Sequence, residues 1–504
     1  MKKLFALVLA LVMVMSLATA AFAAEGETGT LTITGAHTDY TYEIYRILDL
    51  ESYADKNYSY KVNAKWADFF ATDAAKKYFA VDEDGYISQV EGSTLSNAAE
   101  TAQFAQDALA WAKANTIAPE KSTKNTGDFE VTTGNNIKFS DLELGYYLVD
   151  SDLGALCGLS TTNPDAVLTA KNTPPTQDKQ VQEDSTTQWG GANTADIGQT
   201  VNFRVTVNVH AGAQKYVLHD SMSEGLTFVP SSVVVTHENP DANPPSSKVI
   251  AAEGNYEVVT DPAAHTDACK GNCTSHGNCT FEIKFSDDFM KTLEKNDKLI
   301  ITYSAVVNEN AVIGDAGKSN NSRLEFGEGY CTGWDETVTK VFSFDIVKTD
   351  DENKLIDGAK FEVYDVAEGG TALKFVKVED GKYRRAVASD PAESVVTEIE
   401  VKGGKVTVEG FDNGTHYLYE TVAPAGYNKL DERIAFTISD ANLSATFEND
   451  VYSAGSGVQV ENKSGTVLPQ TGGMGTTLFY VFGTVLVAAA VVLLVTKKRM
   501  TAEN

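Results

Sequence analysis

Val201-Asn202-Phe203-Arg204-Val205-Thr206-Val207-Asn208-Val209 alternates Val or Phe with polar residues at every step. Period two over nine residues is the pattern of a strand with one buried face. Leu299-Ile300-Ile301-Thr302-Tyr303-Ser304-Ala305-Val306-Val307 repeats it as a long strand downstream. Between them lie Tyr216-Val217-Leu218-His219-Asp220, a turn through Glu224-Gly225, and Leu226-Thr227-Phe228-Val229. Short strands separated by turn residues predict a β-sandwich.

The chain around this stretch is 504 residues long, too long for one core, so two to four domains are expected. Seventy acidic residues against 41 basic ones give a net charge of −29. That excludes the basic footprint of a nucleic-acid binder. It suits an extracellular surface protein kept soluble by its charge. Five cysteines and twelve prolines give neither a disulfide-dense nor a collagen-like composition.

The N-terminus reads as an export signal. Lys2 and Lys3 precede an apolar run over residues 4–17, and Ala21-Phe22-Ala23 is a small-x-small cleavage site. Cleavage between Ala23 and Ala24 removes residues 1–23. The cysteines are therefore read as extracellular, where disulfides persist.

Residues 24–173 form a first domain of α+β type. Thr30-Leu31-Thr32-Ile33-Thr34 and Tyr40-Thr41-Tyr42-Glu43-Ile44-Tyr45 alternate as strands. Residues 65–80 and 97–114 place aromatic and alanine residues at helical spacing without internal Gly or Pro. The aromatics are read as core. Residues 139–149 read as a turn entering a strand. Pro174-Pro175 then interrupts any ladder and marks a connector. No catalytic cluster is visible, and His37 is isolated.

Residues 174–340 hold the sandwich strands and a cysteine-rich insertion. His265, Cys269, Cys273, His276 and Cys279 crowd together without a clean C-x2-C pair. Disulfides are expected there rather than a zinc site, and no metal or cofactor is assigned. Cys157 is taken as the odd thiol, buried and free.

At the C-terminal end, Leu468-Pro469-Gln470-Thr471-Gly472 is followed by a spacer and an apolar run over residues 476–496. That is close to the about 20 residues a helix needs to cross a bilayer. Lys497, Lys498 and Arg499 open a cationic tail over residues 497–504, on the cytoplasmic side by the positive-inside rule. A plain anchor explains the run and the cations but gives no reason for Leu-Pro-x-Thr-Gly in front of them.

This tripartite pattern resembles the cell-wall sorting signal of Gram-positive surface proteins, with the Leu-Pro-x-Thr-Gly motif and its spacer over residues 463–475. The resemblance implies that a sortase cleaves between Thr471 and Gly472, holds Thr471 as a thioester and passes it to an amine. Phe139-Ser140-Asp141-Leu142-Glu143-Leu144-Gly145-Tyr146-Tyr147-Leu148-Val149 resembles a segment of N-terminal pilin domains. Lys171-Asn172 ahead of Pro174 resembles the pilin motif of backbone pilins, with Thr169-Ala170 in place of the usual Tyr-Pro. Taken alone, Lys171 reads equally as a solvated linker lysine. Paired with the sorting signal, it reads as the polymerisation amine.

The middle domain resembles the immunoglobulin-like isopeptide domain of those pilins. The resemblance implies a Lys179–Asn320 bond with Asp220 as proton shuttle; an ordinary Lys179–Asp220 ion pair is the alternative. Asn320 shares a strand face with Ser322 and Leu324, whereas Asn321 points away. Residues 341–462 contain Phe342-Ser343-Phe344-Asp345-Ile346-Val347-Lys348-Thr349-Asp350 and Tyr417-Leu418-Tyr419-Glu420-Thr421-Val422-Ala423-Pro424-Ala425-Gly426-Tyr427. They resemble a Cna-B domain with its E-box. By that resemblance Lys348 is the nucleophile, Glu420 the shuttle and Asn462 the acceptor.

The expected fold class is mainly β: tandem immunoglobulin-like and Cna-B β-sandwich domains, an α+β N-terminal domain and a C-terminal transmembrane helix. The expected function is that of a structural major pilin, not an enzyme beyond its own cross-linking. Its expected partners are a pilus-specific sortase, a housekeeping sortase with a peptidoglycan precursor, further copies of itself, minor tip and base pilins, and host surface ligands. The location implied is the cell wall, after transient membrane anchoring. A monomeric wall-anchored adhesin is the alternative. No Ser/His/Asp cluster or close carboxylate pair supports a wall-anchored enzyme.

Overall fold

The structure is a computed structural model describing residues 21–22, 27–54, 57–93, 98–153, 158–161, 165–170, 174–210, 214–261, 279–311, 313–327, 329–439, 443, 447–448, 451–452, 457–465 and 475–501. Ala23, Ala24, Cys157, Lys171, His265, Cys269, Cys273, His276 and Leu468 to Gly472 lie outside these residues. The chain divides into two compact units. One comprises Met1–Ser343, Arg385–Asp390 and Glu409–Asn413; the other comprises Phe344–Arg384, Pro391–Val408 and Gly414–Asn504.

The first unit opens with β1 (Thr28–Thr34) and β2 (Tyr42–Ala54), joined later by α1 (Ala98–Ala114), β3 (Asn136–Glu143), β4 (Gly145–Ser151) and β5 (Asp165–Thr169). β5 pairs in parallel with β1, and β3 pairs with β1 on its other edge. β2 and β4 belong to a second sheet. Leu31, Ile33, Ile44, Phe139 and Tyr147 form one core of this region. Trp66, Phe69, Phe104, Ala108 and Leu109 form another, under the helices.

Two local expectations are corrected. Residues 65–80 are not one helix but two short ones, Ala67–Phe70 and Asp73–Lys76, followed by strand Phe79–Val81. Thr72 causes the break. Its hydroxyl donates to the carbonyl of Phe69 at the end of the first helix and caps the Ala75 amide of the next. Residues 139–149 are two strands rather than a turn entering one, hinged at Gly145. A Cβ there would sit 2.4 Å from the carbonyl oxygen of Leu48, so only glycine allows this approach.

The sandwich follows in the same unit. β6 (Thr176–Gln182), β7 (Thr200–Asn208), β11 (Lys298–Val307) and β9 (Leu226–Asn239) lie side by side in that order, all antiparallel. The opposing sheet contains β10 (Phe281–Phe285), β8 (Val217–Met222), β12 (Gly314–Phe326) and the start of β13 (Asp335–Thr349). Val181, Phe203, Val205, Ile301 and Tyr303 meet Leu218, Phe281, Ile283, Leu324 and Phe326 in one core. The alternation that predicts β7 and β11 is the alternation that fills this core. Each fully buried side chain of that size contributes about 1.5–3 kcal/mol.

In the second unit, β14 (Lys360–Tyr364), β16 (Gly414–Val422) and β17 (Ile434–Ile438) are neighbours in one antiparallel sheet. The end of β13 pairs in parallel with β18 (Val458–Glu461). Phe344, Ile346, Phe361, Val363, Leu418, Phe436 and Ile438 are buried there.

Helix α2 (Gly475–Thr501) contains a 23-residue segment, Leu478–Met500, long and apolar enough to cross a membrane. The helix continues through Lys497, Lys498 and Arg499, where the sequence places a separate tail. Lysine and arginine are good helix formers, and cations suit the negative end of the helix dipole.

Candidate cross-linking sites and the wall anchor

Two buried clusters, one in each unit, share the same composition of amine, carboxyl and carboxamide. In the first unit the strand period turns Lys179 inward with Val181 on β6. Asp220 points inward from β8 with Leu218, and Asn320 points inward from β12 with Ser322 and Leu324. Lys179, Asp220 and Asn320 are all buried, the last two completely. Lys179 Nζ donates to Asp220 Oδ2 at 2.6 Å. The Lys179 amide donates to Asp335 Oδ2 at 2.7 Å, which fixes the strand that carries the amine.

Tyr303 completes this cluster and was not singled out from sequence. Its hydroxyl donates to Asp220, accepts from Lys179 Nζ, and accepts from Asn320 Nδ2 at 3.3 Å. One signal existed: Tyr303 is the only hydroxyl-bearing residue on the apolar face of β11, whose other members are Leu299, Ile301, Ala305 and Val307.

Electrostatics drives this cluster toward its neutral form. Burial lowers the affinity of Lys179 for its proton, and Asp220 opposes that only in part. Burial raises the Asp220 carboxyl, with Lys179 opposing. Both groups shift the way desolvation predicts for charges withdrawn from water. Both shifts move the cluster away from a plain ion pair and toward a neutral amine beside a carboxylic acid.

In the second unit Lys348 lies near the end of β13, Glu420 on β16 and Asn462 just past β18. Parallel pairing sets Lys348 opposite Val460 and Thr349 opposite Glu461, which brings Asn462 to the same end. The Asn462 amide donates to the Thr349 carbonyl at 3.0 Å. Lys348 and Asn462 are completely buried and Glu420 nearly so. Asn462 Nδ2 donates to Glu420 Oε2 at 2.9 Å and to the Asn428 carbonyl at 2.5 Å. Leu430 N also donates to Glu420 Oε2, at 2.8 Å. Lys348 Nζ donates to the Val460 carbonyl at 2.8 Å. Burial pulls the Lys348 amine down to about 8, against the attraction of Glu420 and Glu461.

One detail recurs in both clusters. Asp220 Oδ1 and Asn320 Oδ1 are buried without a hydrogen-bond partner, and so are Glu420 Oε1 and Asn462 Oδ1. An orphaned buried acceptor costs about 1–3 kcal/mol. Two acceptors cannot satisfy each other. A proton on Asp220, the direction in which burial moves that carboxyl, would convert its oxygen into a donor, and an acid near a carboxamide can polarise its carbonyl for attack by an amine.

One thiol departs from expectation. Among the described residues Cys279, expected in a disulfide of the insertion, is a free cysteine, whereas Cys331 is disulfide-bonded. Cys157, read as the odd thiol, lies outside the described residues.

Comparison with known proteins places the anchor and one domain. Residues 342–451 match the SpaA prealbumin-like fold domain, and residues 460–500 match the LPXTG cell wall anchor motif. With the exposed apolar helix behind it, the motif defines a cell-wall-anchored surface protein that is held in the membrane transiently. The chain is homologous to the trypsin-resistant surface T6 protein of Streptococcus pyogenes serotype M6, at 22% identity over 373 residues. That match takes in 61% of this chain and 66% of the relative, slightly under two thirds of its length.

Among solved structures, the T6 backbone pilin of serotype M6 Streptococcus pyogenes aligns over 88% of this chain and all of its own, with TM-score 0.49 and 15% identity. The major pilin SpaD of Corynebacterium diphtheriae aligns over 87% and 98%, with TM-score 0.43 and 15% identity. The chain itself is mainly β and carries a cell-wall anchor.

Proposed function

We propose that this protein is the backbone subunit of a sortase-assembled pilus, stiffened by two internal amide bonds. The observation that carries the cross-links is the recurrence, in two separate cores, of a buried lysine, a buried acid and a buried asparagine with the same orphaned oxygens.

The chemistry balances as follows. The neutral amine of Lys179 attacks Cγ of Asn320, and a new C–N bond forms. The Asp220 carboxyl protonates the departing nitrogen and takes back a proton from the attacking one, so one ammonia leaves. Lys348, Asn462 and Glu420 repeat this in the second unit. General acid–base transfer and fixed proximity are the two accelerating effects available. Tyr303 orients the first set, since its hydroxyl meets all three members. Tyr303→Phe is expected to slow ammonia loss from the first unit while leaving the second unchanged. Intact mass of freshly synthesised protein followed over time reads this, and an unchanged rate assigns Tyr303 to packing alone.

Polymerisation rests on the pairing of Thr471 with Lys171. The Thr471 carbonyl passes from a sortase thioester to the Lys171 amine of the next copy, and the thiol is released. Repeated head-to-tail joining extends without closing. A housekeeping sortase would transfer the last subunit to a peptidoglycan precursor, and minor pilins would occupy tip and base. Tandem mass spectrometry of digested wall polymer tests this: a branched peptide should join Thr471 to Lys171. A branch at another lysine removes Lys171 from the scheme. Wall material consisting only of single subunits favours a monomeric adhesin.

A further inference from the structure

On the face of β8 and β10 turned away from the Lys179 cluster, His219 and Glu282 stand directly opposite each other as a cross-strand pair. Both are completely buried. Cys279 is two residues before β10, half-buried and free. The ligand atoms of His219, Cys279 and Glu282 all lie within 4.8 Å of one another. We infer that these three side chains form a zinc site. The inference departs from the sequence reading, which assigned no metal and considered zinc only within the cysteine-rich insertion.

The distances fit. Zn–S of about 2.3 Å and Zn–N of about 2.0–2.1 Å at a tetrahedral angle place sulfur and nitrogen about 3.6 Å apart. Cys279 Sγ and His219 Nδ1 are 3.6 Å apart. Two N/O ligands on the same ion stand about 3.3 Å apart by the same construction. His219 Nδ1 and Glu282 Oε1 are 3.0 Å apart. Nδ1 and Oε1 need only widen by about 0.3 Å, from 3.0 to 3.3 Å, to admit an ion.

The imidazole is also held as a metal ligand is held. Its other nitrogen, Nε2, meets Glu325 Oε2 at 2.8 Å. With an ion at Nδ1, the carboxylate behind the imidazole would hold the Nε2–H tautomer and leave the Nδ1 lone pair for the ion between Cys279 and Glu282. A lone pair facing a carboxylate oxygen and a sulfur needs a positive charge between them. A proton on Nδ1 serves one partner well; a divalent ion serves all three. Lys284 lies 3.4 Å from Glu282 Oε2, so the opposite oxygen, Oε1, stays turned to His219.

The donor set selects the ion. A thiolate disfavours Ca²⁺ and Mg²⁺, whereas mixed S, N and O donors suit Zn²⁺. Binding releases the Cys279 thiol proton and any proton on Nδ1. Three protein donors leave the fourth position to water on the half-exposed Cys279 side. An ion here ties the residues entering β10 to β8. It also shields an exported thiol from oxidation, because the thiolate lone pair is engaged.

The test uses the full chain in detergent, reduced and stripped with a chelator. Zn²⁺ uptake is measured against a chromophoric chelator, and Co²⁺ serves as a spectroscopic substitute. The expected result is one tight equivalent per chain, tetrahedral Co²⁺ d–d bands and a thiolate-to-Co²⁺ charge-transfer band. Cys279→Ser should abolish the charge-transfer band while circular dichroism stays unchanged. Glu325→Gln should keep the band and weaken Zn²⁺ by about 10–100-fold. Absence of tight Zn²⁺ uptake in wild type overturns the inference. So does a charge-transfer band that survives Cys279→Ser, because the ion would then sit on other cysteines.

Discussion

Replacing Lys171 with alanine is expected to collapse the ladder of wall-extracted polymers to a single band on an immunoblot of material boiled in denaturant. The effect should be all-or-none, because in the proposed scheme each subunit offers one acyl donor, Thr471, and one amine. Lys179 is close in sequence but cannot substitute. Its Nζ is buried and committed to Asp220 and Tyr303. A lysine in water is mostly protonated near neutral pH, with a reference value of about 10.4, so in this scheme the sortase must take the proton before transfer. Lys171→Arg should also abolish the ladder, since a guanidinium keeps the charge and is no nucleophile. A ladder that persists in Lys171→Ala would move the junction to another lysine while leaving the internal bonds untouched.

Glu420→Gln is the second large effect. Glutamine keeps the shape of the side chain and an acceptor for Leu430 N, but it cannot carry the proton. Wild-type protein should weigh two ammonia molecules less than its sequence, Glu420→Gln one less, and the double variant with Asp220→Asn none less. Stability should follow the mass. A bond from Lys348 to Asn462 closes a loop of 114 residues (462 − 348), and by analogy with disulfides this is worth about 5 kcal/mol. For a unit of this size the melting temperature should fall by roughly 20 °C. The unreacted Lys348 adds to the loss, since a buried amine without its bond keeps its desolvation cost. A wild-type mass equal to the sequence mass would end the cross-link proposal, whatever the ladder shows.

Much of this was legible in the residues. Period two in residues 201–209 and 299–307 fixed both the strands and the side chains that meet in the middle core. The same parity argument separated Asn320 from Asn321, and the structure hydrogen-bonds Asn320 to Tyr303. Tyr303 escaped notice because an inward tyrosine in an apolar strand looks like core until its hydroxyl partners are known. The partners come from β6, β8 and β12, and nothing local announces them. Residues 65–80 escaped for a different reason. Helical spacing carries through Thr72, but a hydroxyl that bonds to one helix and caps the next outweighs periodicity over so short a run. The His219, Cys279 and Glu282 cluster was hidden by distance along the chain: alternation can place His219 outward but cannot say that Glu282 stands across from it.

The position of the two lysine–asparagine pairs has a consequence for how a pulled fibre would carry its load. With both amides made, tension entering at Lys171 crosses from Lys179 to Asn320, runs to Lys348, crosses to Asn462 and leaves at Thr471. The cores between those points are bypassed, and β1 to β5 lie outside the path altogether, which leaves that region no mechanical need for a bond of its own. The one long stretch of bare backbone in the path is the hairpin of β12 and β13 between Asn320 and Lys348. Its pairing, Asn320 with Thr337, Asn321 with Glu336 and Ser322 with Asp335, would open like a zipper. At 3.3–3.6 Å per residue, about 28 residues yield no more than roughly 100 Å. That hairpin would make each subunit a tether with a single short shock absorber, giving a little under a sudden pull and then holding.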